Sequence, residues 1–143
     1  MRLTLIFLLM LISALSASGQ TQSAVIVAQV TLTNQTAYIP PTRLVMPKSN
    51  ALYRISAYIE ALGQNQTQCD EYLLNLGWTD ATPQGSKQVI FAKTYNCSSP
   101  EYDQRVMIVS DLSGKPLGYS VTDTNGVAPT EPFNVYITVE QLQ

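Results

Sequence analysis

Side chains that alternate apolar and polar run through most of this chain, while the 3.6-residue rhythm of an amphipathic helix is almost absent. In Leu52–Glu60, Tyr53, Ile55, Ala57 and Ile59 fall on one face and Arg54, Ser56, Tyr58 and Glu60 on the other. That is the pattern of a strand with one dry and one wet face. Phe133, Val135, Ile137 and Val139 alternate with Asn134, Tyr136, Thr138 and Glu140, and Leu74, Leu76 and Trp78 alternate with Asn75, Gly77 and Thr79. Weaker strand signals cover residues 25–33, 42–46, 88–95, 105–110 and 117–122. The segment 42–46 lies between Pro41 and Pro47, which suits a short edge strand because proline donates no ladder hydrogen bond. Residues 70–76 are the one stretch that reads as able to open with a helical turn.

Turn signals separate these segments: Pro47-Lys48-Ser49-Asn50, Pro83-Gln84-Gly85-Ser86, Ser113-Gly114-Lys115-Pro116 and Asn125-Gly126. About eight short strands at regular spacing predict an all-β fold, an antiparallel β-sandwich of jelly-roll type. One wet face per strand points to antiparallel rather than parallel sheets.

The N-terminus has the plan of a secretory signal peptide. Arg2 gives it a positive start, an apolar run covers Leu3–Leu15, and small residues follow through Gly19. Ala17 and Gly19 stand at the positions a signal peptidase requires to be small, so cleavage is expected before Gln20. The run is too short for a spanning helix, which needs ~20 apolar residues, and no second long apolar run follows. The expected organisation is a signal peptide over residues 1–19 and a single β-sandwich domain over 20–143, secreted or periplasmic, with no membrane span after cleavage. Losing Arg2 leaves seven basic and ten acidic side chains, a net charge of −3. A mildly acidic chain without a basic stripe is not expected to bind nucleic acid or anionic membranes.

Cys69 and Cys97 are the only cysteines. An oxidising compartment favours their pairing. Hairpin register supports the same bond. If 72–79 and 88–95 pair about a turn near Pro83, opposed residue numbers sum to about 166, and so do 69 and 97. The spacing is not that of a C-x-x-C redox pair.

Several chemistries lack their residues. There is no histidine, so Ser-His-Asp and Cys-His catalysis and the usual zinc and copper ligands are missing. No glycine-rich phosphate loop is present. Asp80, Asp111 and Asp123 sit at strand ends or turns, where aspartate commonly bonds its own backbone. The run Asp123-Thr124-Asn125-Gly126 begins like a calcium loop but lacks a third oxygen ligand before the glycine, and position twelve is Asn134 rather than glutamate. No enzyme activity, cofactor or metal is expected. Asn34, Asn65 and Asn96 each begin an Asn-x-Ser/Thr triplet, which matters only in a eukaryotic secretory pathway.

The aromatic residues suggest a binding surface instead. Trp78 keeps register with Leu74 and Leu76 and reads as core. Tyr58 and Tyr136 lie on the polar faces of their strands, as does Arg54, and these three are the candidate ligand contacts. The runs Thr31-Leu32-Thr33-Asn34-Gln35-Thr36-Ala37, Ile39-Pro40-Pro41-Thr42, Leu52–Ile59 and Leu76-Gly77-Trp78-Thr79-Asp80, with the closing Val135–Leu142, resemble small β-sandwich modules of bacterial exported proteins and phage tail or tail-fibre-like proteins. The cysteine pair departs from that pattern. The resemblance implies a structural or adhesive module and carries over no catalytic residue. The expected function is therefore a non-catalytic module acting through protein contacts. The alternative is a carbohydrate-binding module using surface tyrosines. Edge strands also give it a route to homo-oligomers.

Overall fold

A computed structural model describes residues 23–63, 69–82, 84–97, 101–124 and 128–142. The expected signal peptide, the Asn65 triplet and the Asn125-Gly126 turn lie outside these residues. Among the described residues eight strands are formed: β1 (Val25–Gln35), β2 (Ile39–Val45), β3 (Ala51–Ala61), β4 (Glu71–Ala81), β5 (Gln84–Tyr95), β6 (Tyr102–Asp111), β7 (Leu117–Thr122) and β8 (Phe133–Gln141). Among the described residues no helix is long and apolar enough to cross a membrane.

All strand pairs are antiparallel, and they make two four-stranded layers, β1-β8-β3-β6 and β2-β7-β4-β5. A single pairing, Asp80 with Asp111, joins the layers at one corner. Every connection except β4–β5 crosses from one layer to the other. This is the jelly-roll sandwich that the strand spacing predicts. The strands run a residue or more beyond the sequence reading at most ends. Residues 70–76 hold no helical turn, because β4 begins at Glu71 and pairs at once with Tyr95. β2 runs through Pro40 and Pro41, which is possible because it is the outermost strand of its layer.

Period-two alternation decides the core. Tyr53, Ile55, Ala57 and Ile59 from β3 and Phe133, Val135, Ile137 and Val139 from β8 are all buried. They face Tyr72, Leu74 and Leu76 of β4 and Leu117, Tyr119 and Val121 of β7 across the sandwich. The Tyr72 and Phe133 rings meet between the layers with centroids 5.1 Å apart. Trp78 packs against this core from its margin.

The β4–β5 hairpin carries the predicted register over four of its eleven pairs, those nearest its open end. From Glu71–Tyr95 to Leu74–Ala92 the opposed numbers sum to 166. A bulge between Leu74 and Asn75 then takes up one residue, and the remaining pairs sum to 165. At the open end Cys69 and Cys97 are bonded, with Cα atoms 4.5 Å apart.

Two glycines on the outer face of the β2-β7-β4-β5 layer, Gly77 and Gly118, are direct cross-strand partners with different constraints. A Cβ at Gly118 would come within 2.9 Å of the Thr42 carbonyl oxygen, a fixed backbone atom of β2. A Cβ at Gly77 would meet its nearest neighbour at 3.7 Å, an ordinary contact. Gly118→Ala is expected to pry β2 from β7 and cost about 1–3 kcal/mol in urea unfolding. Gly77→Ala should be neutral or slightly stabilising. Equal losses at both sites would contradict this assignment.

Candidate functional site

The sequence candidates all lie on the outer face of the β1-β8-β3-β6 layer. Tyr58 and Tyr136 oppose each other directly, with ring centroids 5.7 Å apart. Diagonally across from Tyr58, on β6, stands Tyr102, its ring stacked at 5.5 Å. The three form a continuous row over the neighbouring strands β8, β3 and β6. Tyr102 is 68 % exposed and Tyr136 36 %. Sequence reasoning missed Tyr102, because only the β3–β6 register brings it beside Tyr58. Val106 and Ile108, 60 % and 59 % exposed, continue the same face along β6.

Arg54 is on this face but committed to a partner. Its Nη2 donates to Glu140 Oε1 at 2.9 Å, and its Nε donates to Oε2 of the same carboxylate. These hydrogen bonds hold the Glu140 carboxyl below the ordinary glutamate range. The pair is directly opposed across β3 and β8. Arg54 therefore stands two pleats along β3 from the tyrosine row with its charge already answered.

Two of the strand-end carboxylates, Asp111 and Asp80, hold hydrogen bonds within the fold. Asp111 is fully buried at the corner joining the layers, where its Oδ1 accepts the N–H groups of Thr79 at 3.2 Å and Leu112 at 3.0 Å. Burial pushes its carboxyl up from the ordinary value, and the neighbouring Asp80 adds to the rise. Asp80 Oδ1 accepts the Trp78 indole N–H at 2.7 Å. Asn96, despite its triplet, is fully buried with its amide donating to Asp70 at 2.9 Å, so the folded chain offers no glycan acceptor there. Asn34 is exposed, in a left-handed conformation that asparagine tolerates.

The opposite outer face, on the β2-β7-β4-β5 layer, carries an open groove of about 680 Å³ that crosses all four strands. Its floor is the Gly77–Gly118 pair, flanked in the same row by Gln88 on β5 and Arg43 on β2. Asn75, Ser120, Thr42 and Thr79 add amide and hydroxyl groups, and Pro41 and Pro116 add apolar surface. Lys87 and Lys115 complete the lining. The readable signal for this groove was Gly77 within a strand pattern, since an isolated strand glycine commonly marks close approach by backbone or ligand.

The sequence matches no protein-family model and no curated protein. Among solved structures, the chain is similar to the Eiger TNF of S. frugiperda, at 14 % identity and a TM-score of 0.45, over 84 % of this chain and 91 % of that one. It is also similar to the CBM22-1–GH10 modules of endo-1,4-β-D-xylanase 10B from Clostridium thermocellum, solved with xylohexaose, at 11 % identity and a TM-score of 0.45. That similarity covers 83 % of this chain and 29 % of the xylanase structure. Neither likeness assigns a ligand to this chain.

Proposed function

We propose that this chain is an exported, non-catalytic structural or adhesive module that works through protein contacts, made by the outer face of its β1-β8-β3-β6 layer. The observation that carries the reading is the row of exposed Tyr102, Val106 and Ile108 on β6, interrupted by Gln104, with Tyr58 and Tyr136 beside it. Exposed apolar surface of this kind, rich in tyrosine and poor in unpaired charge, is the composition of an interface centre. β6 adds an edge, since it pairs with β3 along its length on one side and, among the described residues, has on the other a single backbone pairing, Asp111 with Asp80, and a hydrogen bond from the Lys93 N–H to Asp103. The partner under test is a second copy of the chain. Light scattering on the mature protein is expected to show association that Val106→Asp combined with Ile108→Asp abolishes, with the melting temperature little changed. A native chain that stays monomeric at millimolar concentration overturns self-contact through this face.

A carbohydrate-binding role for the same face is the second reading, favoured by the three-ring row itself. Sugar rings stack on such platforms, and Tyr58 holds its two neighbours within 5.5 and 5.7 Å. On a glycan array this reading expects reproducible binding that Tyr58→Ala or Tyr136→Ala removes. Binding unchanged in both variants contradicts it.

A further inference from the structure

We propose that two copies of this chain pack the outer faces of their β1-β8-β3-β6 layers together about a two-fold axis parallel to the strands, with Ile26 of each copy seated on Ile108 of the other. The inference rests on the reading that this face works through contact with a second copy, and adds to it a geometry and a contact residue on β1. Strand register is the first argument. Direct cross-strand partners share a face, so Ile26 on β1, Glu140 on β8, Arg54 on β3 and Ile108 on β6 form one row across the layer. Ile26 and Ile108, at its two ends, are 54 % and 59 % exposed. A two-fold parallel to the strands lays β1 over β6 of the second copy and β8 over its β3, so the row meets itself reversed. Ile26 then meets Ile108, and Glu140 meets Arg54, in both directions. The Arg54–Glu140 pair within each copy becomes part of a ring of four alternating charges.

The neighbouring rows match in the same way. Thr31, Tyr136, Tyr58 and Gln104 form a second row, in which the tyrosines of one copy face those of the other and Thr31 faces Gln104. Between the two rows lie Gln29, Thr138, Ser56 and Val106, so Ser56 faces Thr138. Glu60 faces Asn134, and no like charges are opposed in any of these rows. With the faces fully overlapped, a two-fold lying across the strands would stack β1 on β1 and set Ile26 against the polar end of that strand, leaving it without an apolar partner. Size is the second argument. The nine β3–β8 pairs, at ~3.4 Å per residue, and four strands ~4.8 Å apart give a face of roughly 600 Å². Two such faces bury about 1,200 Å², which reaches the range of specific stable interfaces. Face-to-face packing of twisted sheets is also the arrangement inside the sandwich itself.

Cross-linking of the mature protein tests the geometry. The two native cysteines are bonded to each other, so an added cysteine is the only free thiol. Ile26→Cys mixed with a tagged Ile108→Cys should be joined by a short bis-maleimide, which spans the ~10 Å between packed sheets that a disulfide cannot. The mixture should link at least tenfold more than either variant alone. Ile26→Asp should weaken self-association at least tenfold with the melting temperature little changed. Arg54→Glu with Glu140→Arg keeps the ion pair within each copy, so this variant should associate with itself as the native chain does. It should exclude native copies, because a mixed pair sets carboxylate against carboxylate and guanidinium against guanidinium. Native mass spectrometry of an equal mixture is expected to show mixed dimers at least tenfold below their statistical share. A chain that dimerises through this face but links 26 to 26 or 108 to 108 as readily as 26 to 108, or that exchanges freely with the charge-swapped variant, overturns this packing and leaves the face as the contact surface. A chain that stays monomeric at millimolar concentration overturns both.

Discussion

Replacing both cysteines with serine is expected to lower stability by about 3–4 kcal/mol, the chain-entropy value for a bond closing a loop of 28 residues. The loop contains the whole β4–β5 hairpin, which supplies two of the four strands of one layer. The bond also clamps a polar cluster, because Asp70 and Asn96 are the next residues inward. The Asp70 N–H donates to Asn96 Oδ1 at 2.7 Å, and the Asn96 N–H returns to the Asp70 carbonyl at 3.3 Å. Urea unfolding of Cys69→Ser/Cys97→Ser should therefore show a lower midpoint, and the native protein with reductant present should approach the same value. A loss below about 1 kcal/mol would mean that the Asp70–Asn96 pairing alone closes the hairpin.

The extent to which the fold was readable follows from what each signal encodes. Alternation in β3 and β8 specifies which side chains are buried, and Ile55, Ile59, Val135 and Val139 lie where it puts them. Hairpin register is local arithmetic, so the Cys69–Cys97 bond was legible, and a single bulge between Leu74 and Asn75 does not disturb it because the shift falls on the turn side. Pairing between strands distant in sequence is not local. Tyr58 and Tyr136 could each be placed on a wet face, but their contact depends on β3 lying beside β8, and the Tyr102 contact on β3 lying beside β6. Arg54 illustrates the same gap: its place on the face was legible, while its engagement by Glu140, 86 residues away, was not. The groove was least legible of all. Gly77, Gly118 and Arg43 come from three strands of one layer, and nothing in the order of residues announces that row.

Stability is expected to peak on the acid side of neutrality, because two buried aspartates titrate in opposite directions. Burial alone would push the Asp70 carboxyl up. Hydrogen bonds from the Thr130 hydroxyl and N–H, from Asn96 and from Tyr72 outweigh it and hold the carboxyl below the ordinary value. All four converge on Oδ2. A depressed folded pKa contributes stability that is full above the unfolded value of ~3.9 and is lost as pH falls through the folded one. Asp111 has the reverse sign. Its folded pKa is raised, so its buried charge is a cost at neutral pH, relieved as pH falls through the folded value and fully relieved below ~3.9. Acidification from neutrality should first stabilise the protein through Asp111 and then destabilise it through Asp70. Asp70→Ala leaves the Thr130 N–H and the buried Asn96 amide without their acceptor, and should cost about 2–4 kcal/mol at pH 7. That cost should shrink below ~3.9, where the native protein loses the same carboxylate. Asp111→Asn should remove the rise on the acid side of neutrality and leave the acid limb in place. Denaturation across a pH series separates the two groups. A rise that persists unchanged in Asp111→Asn would assign it to another carboxyl, and an Asp70→Ala cost independent of pH would mean that packing, not charge, holds the cluster beside the disulfide.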